Sequence, residues 1–142
     1  MQPEWVIGIA IAFSIFYTRK TGLSCGGIIT PGLLALYAYD PVRSASALVL
    51  GAALVVPLSL VARALGLYGR ERIGTAMLLA LVARIGLSFI VPVGTHWVGW
   101  VIPGLIAADG ERQGVGMTLC GSVACAVATV FGMTLLRRVT GL

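Results

Sequence analysis

The chain has 142 residues, of which 58% are apolar and 11% are charged, and it carries a formal net charge of +5. Its mean hydropathy is +1.00. A soluble domain has about 25% charged residues, and a chain of this length has too little interior to hide so much apolar surface. These figures exclude a water-soluble globular domain, a disordered chain and a coiled coil. They predict an all-α integral membrane protein, because the bilayer suits such a sequence.

Charges divide the first half of the chain into apolar blocks. Residues 5–18 are uncharged and predict a first helix, whose positive flank at Arg19-Lys20 favours the cytoplasmic side. Residues 21–39 are uncharged but rich in glycine, and they contain Pro31-Gly32. Proline removes a backbone donor and glycine tolerates unusual dihedral angles, so this block predicts an interrupted membrane segment.

A third uncharged block covers residues 44–62 and follows Asp40-Pro41, a favourable pair for a helix start. The second half then repeats the pattern. Residues 73–91 are apolar apart from Arg84, and residues 92–108 contain a second Pro-Gly pair. Residues 113–136 predict a last long helix. The chain is therefore expected to form four continuous transmembrane helices and two Pro-Gly-interrupted segments.

The two interrupted segments resemble each other. Residues 27–35 align with residues 99–107 at an offset of 72, with five of nine positions identical. We interpret this as a tandem internal repeat within a single transmembrane domain, residues 1–142, with repeat one at about 1–70 and repeat two at about 71–142. If both interrupted segments cross the membrane, the chain has six spans and the repeats are inverted, three plus three. If both are re-entrant, there are four spans and the repeats are parallel.

The distribution of basic residues favours the six-span topology with an external N-terminus. A five-span alternative concentrates slightly more basic residues on one side, but it treats the two repeats differently. Six spans place three basic residues outside, Arg43, Arg137 and Arg138, and six inside, Arg19, Lys20, Arg63, Arg70, Arg72 and Arg112.

Duplicated broken helices in a membrane indicate a substrate path, because lipid cannot satisfy the freed backbone groups. A kinked packing helix is the simpler alternative for either copy. Arg84 lies about eleven residues into an otherwise apolar helix. An arginine at the centre of a helix costs about 2.5–3.5 kcal/mol on insertion scales, so Arg84 is expected to face the bundle interior or a wet cavity.

The sequence predicts no catalytic residue and no metal site in this chain. It has no Walker-type phosphate-binding loop. Cys25, Cys120 and Cys125 are interpreted as small apolar packing residues, and not as a disulfide framework or a metal site, because they are odd in number and no Cys-x-x-Cys occurs. Asp40 and Asp109 are interpreted as helix caps.

Five short segments carry a family resemblance through their order and spacing. They are Lys20-Thr21-Gly22, Thr30-Pro31-Gly32-Leu33, Leu67-Tyr68-Gly69-Arg70, Ile102-Pro103-Gly104-Leu105-Ile106-Ala107 and Gln113-Gly114. Together they resemble the PgsC/CapC family, the membrane subunit of poly-γ-glutamate synthase in capsule biosynthesis. One departure is Arg19, where relatives are expected to have an acid.

The resemblance implies a non-catalytic subunit in the cell (cytoplasmic) membrane that helps to synthesise and export an anionic polymer. An ATP-dependent amide ligase of the PgsB/CapB type would use ATP and Mg to activate a glutamate carboxylate and extend a γ-linked chain. A PgsA/CapA-type subunit would act at the outer surface. This chain would hold no cofactor and bind no nucleic acid. Its few thin helices enclose little space, which is compatible with a homo-oligomer.

The site residues expected for this role fall into two sets. A path for the polymer needs positive potential and exposed backbone donors. We assign it to Lys20, Pro31, Gly32, Arg84, Pro103 and Gly104. Contact with the ligase or with an anionic surface is assigned to Tyr68, Arg70, Arg72 and Arg112.

Two other functions are compatible with the residues alone. Duplicated broken helices also occur in independent small-solute or ion transporters. A purely structural anchor that docks the ligase without conducting polymer would need only the spans and the basic surface.

Overall fold

The computed structural model describes residues 3–90 and 101–141, and throughout this part of the chain the regular structure is α-helical. The predicted block 92–108 therefore lies partly outside the described residues, and so does the start of the second aligned segment. The helices are α1 (Pro3–Thr21), α2 (Thr30–Leu36), α3 (Pro41–Leu65), α4 (Arg70–Ile90), α5 (Val101–Gln113) and α6 (Val115–Thr140).

Helix α3 begins where the sequence predicted, with Pro41 as its first residue and Asp40 at the N-cap. The Asp40 side chain makes no capping hydrogen bond; instead its Oδ2 atom lies 3.5 Å from Nε of Arg43. Pro57 lies inside α3 without ending it. The helix stops at Gly66, which adopts the left-handed conformation with φ of 63°.

Helices α3, α4 and α6 are long and apolar enough to cross a membrane. Helix α1, predicted as a fourth continuous span, is not among them. Glu4 in its first turn and Arg19-Lys20 in its last turn leave only the uncharged stretch 5–18 between them. That stretch is shorter than the ~20 residues needed to span the hydrocarbon core as a straight helix.

Large apolar side chains cover the outside of the bundle, while its interior is rich in small residues and also holds a few larger ones such as Leu58 and Ile106. Phe16 and Phe89 are 64% and 86% exposed, whereas Ala10, Ala76 and Ala80 are completely buried. An apolar exterior around a core rich in small residues is the packing that helices adopt in lipid. The arrangement therefore agrees with the membrane environment that the composition predicts.

The contacts of α2 define its direction. Gly32 packs against Ile7 and Ala10 of α1, and Ala35, one turn later, clusters with the earlier residue Val6. Helix α2 is therefore antiparallel to α1. It lies between α1 and α6.

Helix α5 runs in the same direction as α3. Gly51 of α3 lies beside Pro103, and Val55, one turn later, lies beside Gly110. Helix α5 packs against α3, α4 and α6, and more than half of its residues are buried. The two short helices thus occupy the centre of the bundle and point to opposite ends.

These directions give the bundle two ends with different charge. We call the end where α1, α3 and α5 finish the basic end, and the other the opposite end. The opposite end carries Arg43, Arg137 and Arg138, and the basic end carries Arg19, Lys20, Arg63, Arg70, Arg72 and Arg112.

The Pro-Gly pairs start helices and do not break them. Pro31 lies in the first turn of α2, where its missing N–H is not needed, and Pro103 lies in the first turn of α5. In the first repeat the interruption precedes the pair, over residues 22–29. In the second repeat the corresponding residues are 94–101, and all of them except Val101 lie outside the described part.

Candidate functional site

The irregular segment between α1 and α2, residues 22–29, folds back into the bundle; we call it the 22–29 loop. It turns through Gly22, Gly26 and Gly27, whose φ angles of 72°, 74° and 99° favour glycine. A Cβ atom on Gly26 would lie 2.8 Å from Oγ of Ser122 and 3.1 Å from a side-chain carbon of Ile106. The loop therefore approaches α5 and α6 as closely as a backbone without side chain permits.

A glutamine at the end of α5 binds this loop through both backbone groups of one residue. The N–H of Ser24 donates to Oε1 of Gln113 over 2.8 Å, and Nε2 of Gln113 donates to the Ser24 carbonyl over 2.5 Å. Nε2 of Gln113 also donates to the Thr118 hydroxyl, 2.9 Å away. The Ser24 hydroxyl donates to Asp109. One loop residue is thus held by two side chains of α5.

Helix α6 holds the next part of the loop. The Ser122 hydroxyl lies 2.7 Å from the carbonyl of Cys25 and 2.7 Å from that of Thr118. We call Ser24, Asp109, Gln113, Thr118 and Ser122 the polar clamp. Its hydrogen bonds satisfy backbone groups that a loop inside an apolar bundle would otherwise leave unpaired, which is costly.

The polar clamp was not predicted from the sequence, and one of its members has a different role from the one expected. Asp109 was predicted to cap a helix, but it lies inside α5 and accepts from Ser24, with Oδ1 3.9 Å from Arg112. Gln113 was quoted only as part of a family motif. A signal was present, because Asp109 and Gln113 are four residues apart and so share one face of a helix.

The two Pro-Gly glycines of the predicted polymer path allow helices to touch. A Cβ atom on Gly32 would lie 2.9 Å from Cβ of Ala10 in α1. A Cβ atom on Gly104 would lie 3.1 Å from Cα of Met77 and 3.3 Å from the carbonyl of Ala76, both in α4. Both glycines and their prolines are buried. The structure thus gives them a packing contact, and their role in a polymer path stays a prediction.

The charged residues of the predicted path lie on the surface. Lys20 is exposed in the last turn of α1. Arg84 is also exposed, on α4, and has no acidic side chain within ion-pair distance in the described residues. Of the two environments expected for Arg84, the bundle interior is therefore wrong for a single chain, and a wet cavity stays a prediction. In α4 the buried residues are Ala76 and Ala80, because those two positions face α3 and α5.

Of the four residues predicted to contact a partner, three are free to do so. Tyr68 is 79% exposed, and Arg70 and Arg112 are exposed at the same end. Arg72 is half-buried, and its guanidinium lies 2.9 Å from Glu111. This ion pair joins the start of α4 to the end of α5, so Arg72 serves the fold.

The grooves on the described surface are apolar. One groove of about 590 Å³ runs between α2, α3 and α6, with Leu34, Leu48 and Phe131 among its lining residues. Such walls do not suit a carboxylate-rich polymer. The described residues contain no group of three or more His, Cys, Asp or Glu side chains able to hold a metal ion.

Comparison with known proteins gives a consistent result. Residues 9–119 match the family model described as capsule biosynthesis CapC. The chain is 27% identical over 128 residues to the capsule biosynthesis protein CapC of Bacillus anthracis, covering 85% of this chain and 86% of that protein. It is 25% identical over 128 residues to the PGA biosynthesis protein CapC of Bacillus subtilis (strain 168), with the same coverage. No solved structure matches.

Proposed function

The chain belongs to the CapC family of capsule biosynthesis proteins, and we propose that it is the membrane subunit of a complex that makes and exports poly-γ-glutamate. The family match over residues 9–119 carries this proposal. The name of the Bacillus subtilis relative, a PGA biosynthesis protein, supports this choice of polymer. Neither comparison supports an independent transporter of small solutes.

The proposed topology has six crossings in the cytoplasmic membrane, arranged as two inverted repeats of three. Helices α1, α3, α4 and α6 each run from one end to the other. The 22–29 loop with α2 forms one further crossing, and α5 belongs to the last, because α5 ends beside Arg72 at the basic end. Helix α2 packs against α1 of its own repeat and against α6 of the other repeat. Helix α5 likewise packs against α4 of its own repeat and against α3 of the other.

The basic end faces the cytoplasm in this proposal, because basic residues concentrate on the cytoplasmic side of short loops. The short uncharged stretch of α1 fits such a crossing if Arg19 and Lys20 extend their charged groups toward the membrane surface. Both termini then lie outside. Cysteine-accessibility labelling tests this: a cysteine at Gly69 should react only from the cytoplasmic side, and one at Tyr39 only from the outside.

The ATP-dependent amide ligase docks at the basic end, where ATP and Mg are available to it. Tyr68, Arg70 and Arg112 offer an exposed aromatic side chain and two cations, and Lys20 adds a third cation at the same end. An acidic ligase surface would complement this patch and orient the ligase over the bundle. The outer-surface subunit would meet the opposite end.

The docking test replaces Lys20, Arg70 and Arg112 together by Gln and recovers the complex in mild detergent. At roughly 0.5 kcal/mol for each exposed charge pair, ligase retention should fall about tenfold. A matched variant replaces Arg43, Arg137 and Arg138 at the opposite end and should retain the ligase. Equal retention by both variants would exclude docking at the basic end.

Export of the polymer requires a positively charged path, because each residue of poly-γ-glutamate carries a carboxylate that lipid does not solvate. Gly32 and Gly104 pack tightly against neighbouring helices, and Arg84 is exposed on α4. We therefore place the path along the outer face of α4, between copies of this chain in a homo-oligomer. Arg84 then contacts the polymer in a shared cavity and is not left in hydrocarbon.

The test of the path is Arg84→Leu with Arg84→Lys as its control. Arg84→Leu should insert normally and retain the ligase, but little polymer should appear outside the cell. Arg84→Lys keeps the charge and should restore most of the output. Normal export by Arg84→Leu would contradict this path while leaving the docking role intact.

A further inference from the structure

The fold brings two buried cysteines together that the sequence separates by 100 residues. The Sγ atoms of Cys25, in the 22–29 loop, and Cys125, in α6, lie 3.0 Å apart. The two residues are 1% and 3% exposed. This separation is roughly 1 Å longer than a disulfide bond, so a small side-chain rotation would bring the sulfurs to bonding distance.

The backbone around this pair is held in place on both sides. The carbonyl of Cys25 accepts the Ser122 hydroxyl over 2.7 Å, one turn before Cys125 on the same helix. The preceding residue, Ser24, is bound by Gln113 and Asp109. The thiols therefore face each other because the polar clamp fixes the loop against α6.

A largely apolar groove on the surface reaches Cys125, one member of the pair. It lies between α1 and α6, has a volume of about 210 Å³, and includes Phe13, Phe16, Ala128 and Cys125 among its lining residues. The buried position excludes charged oxidants. The groove can admit an uncharged planar molecule of the kind that dissolves in a bilayer.

We propose that Cys25 and Cys125 are a reactive dithiol that closes reversibly to a disulfide, with an uncharged two-electron acceptor of the quinone class as oxidant. Both S–H bonds break and one S–S bond forms. Two electrons and two protons pass to the quinone, which leaves as the hydroquinone. The product ties the 22–29 loop covalently to α6. This inference does not depend on the proposed role in polymer synthesis.

The experiment treats the full-length protein in membranes with decylubiquinone, and in parallel with diamide, an uncharged azo oxidant that takes up the same two hydrogens. Samples are then denatured in SDS, and free thiols are counted with a polyethylene-glycol maleimide. Oxidation should reduce the number of tagged thiols from three to one, and dithiothreitol should restore all three. Peptide mass spectrometry should find Cys25 joined to Cys125.

Three variants separate this pair from other chemistry. Cys120→Ser removes the exposed third thiol, which lies in α6 like Cys125. Oxidation should reduce the number of tagged thiols in this variant from two to none. Cys25→Ser and Cys125→Ser should keep both remaining thiols after oxidation. Unchanged tagging of the wild-type protein by both oxidants, or a cross-link that contains only Cys120, would overturn the proposal. Closure with diamide but not with decylubiquinone would overturn its oxidant class.

Discussion

The two Pro-Gly segments start from nearly the same residues and become different structures. In the first repeat the helix that contains the pair, Thr30–Leu36, has seven residues. In the second repeat the corresponding helix, Val101–Gln113, has 13 residues. The aligned stretches therefore determine where each short helix lies in the bundle, but not how far it extends.

The residues after the aligned stretches explain the difference. Pro41 follows α2 closely, and the residue before a proline is disfavoured in the helical region. Asp40 accordingly has φ of −116° and ψ of 79°, and the helix has already ended. At the offset of 72 the position of Pro41 is taken by Gln113, which continues the helix up to Gly114.

The longer helix, α5, makes contacts that α2 does not make. The extra turns of α5 carry Asp109 and Gln113, which bind the 22–29 loop of the other repeat. The second segment therefore supports the first. The two similar segments thus differ in structure, because one is a central helix that binds and the other includes an irregular loop that is bound.

The largest effect is expected from filling the contact at Gly104. Gly104→Ala would press a methyl group against the backbone of Met77 and Ala76, which cannot move aside. We expect a loss of about 1–3 kcal/mol in the free energy of unfolding in detergent. Gly86→Ala serves as control, because a Cβ atom there meets nothing within 4 Å.

The matching change in the first segment tests the contact between α2 and α1. Gly32→Ala should cost a similar amount, but its closest neighbour is the Cβ atom of Ala10. Adding Ala10→Gly removes that atom, so the double variant should recover part of the lost stability. Failure of Ala10→Gly to improve Gly32→Ala would show that the segment does not pack against α1 as described.

A middle-sized effect is expected at the polar clamp. Gln113→Leu leaves both backbone groups of Ser24 without this partner, which costs about 1–3 kcal/mol for a buried polar group. The 22–29 loop should become more accessible, measured as faster maleimide labelling of Cys25 in a variant that lacks the other cysteines. Thr134→Val, which removes only an exposed bond within α6, should leave this labelling unchanged.

The smallest effect is expected at the ion pair between Arg72 and Glu111, which joins α4 to α5. A double-mutant cycle on Arg72→Gln and Glu111→Gln should give a coupling energy of about 1 kcal/mol, because both side chains are partly shielded from solvent. The same cycle on Arg112 and Asp109, 3.9 Å apart and with the arginine 62% exposed, should give a value near zero. Equal couplings would remove the structural role assigned to Arg72.

Much of the fold could be predicted from local sequence, but the candidate site could not. Charges and Asp40-Pro41 located the long helices, because a charged group or a proline affects the helix in which it lies. The bond between Ser24 and Gln113 joins residues 89 positions apart. It depends on how α5 is rotated in the bundle, which no local pattern specifies.

The composition of this chain suits a bilayer, and its long apolar blocks favour helices, because a helix pairs its backbone groups within one segment. The Pro-Gly repeats likewise mark the two segments that other helices surround. Only the tertiary structure decided which glycines serve as contacts, that Arg84 stays outside the bundle, and that Cys25 meets Cys125. Those outcomes depend on the relative rotation and depth of helices far apart in sequence, and close packing sets both.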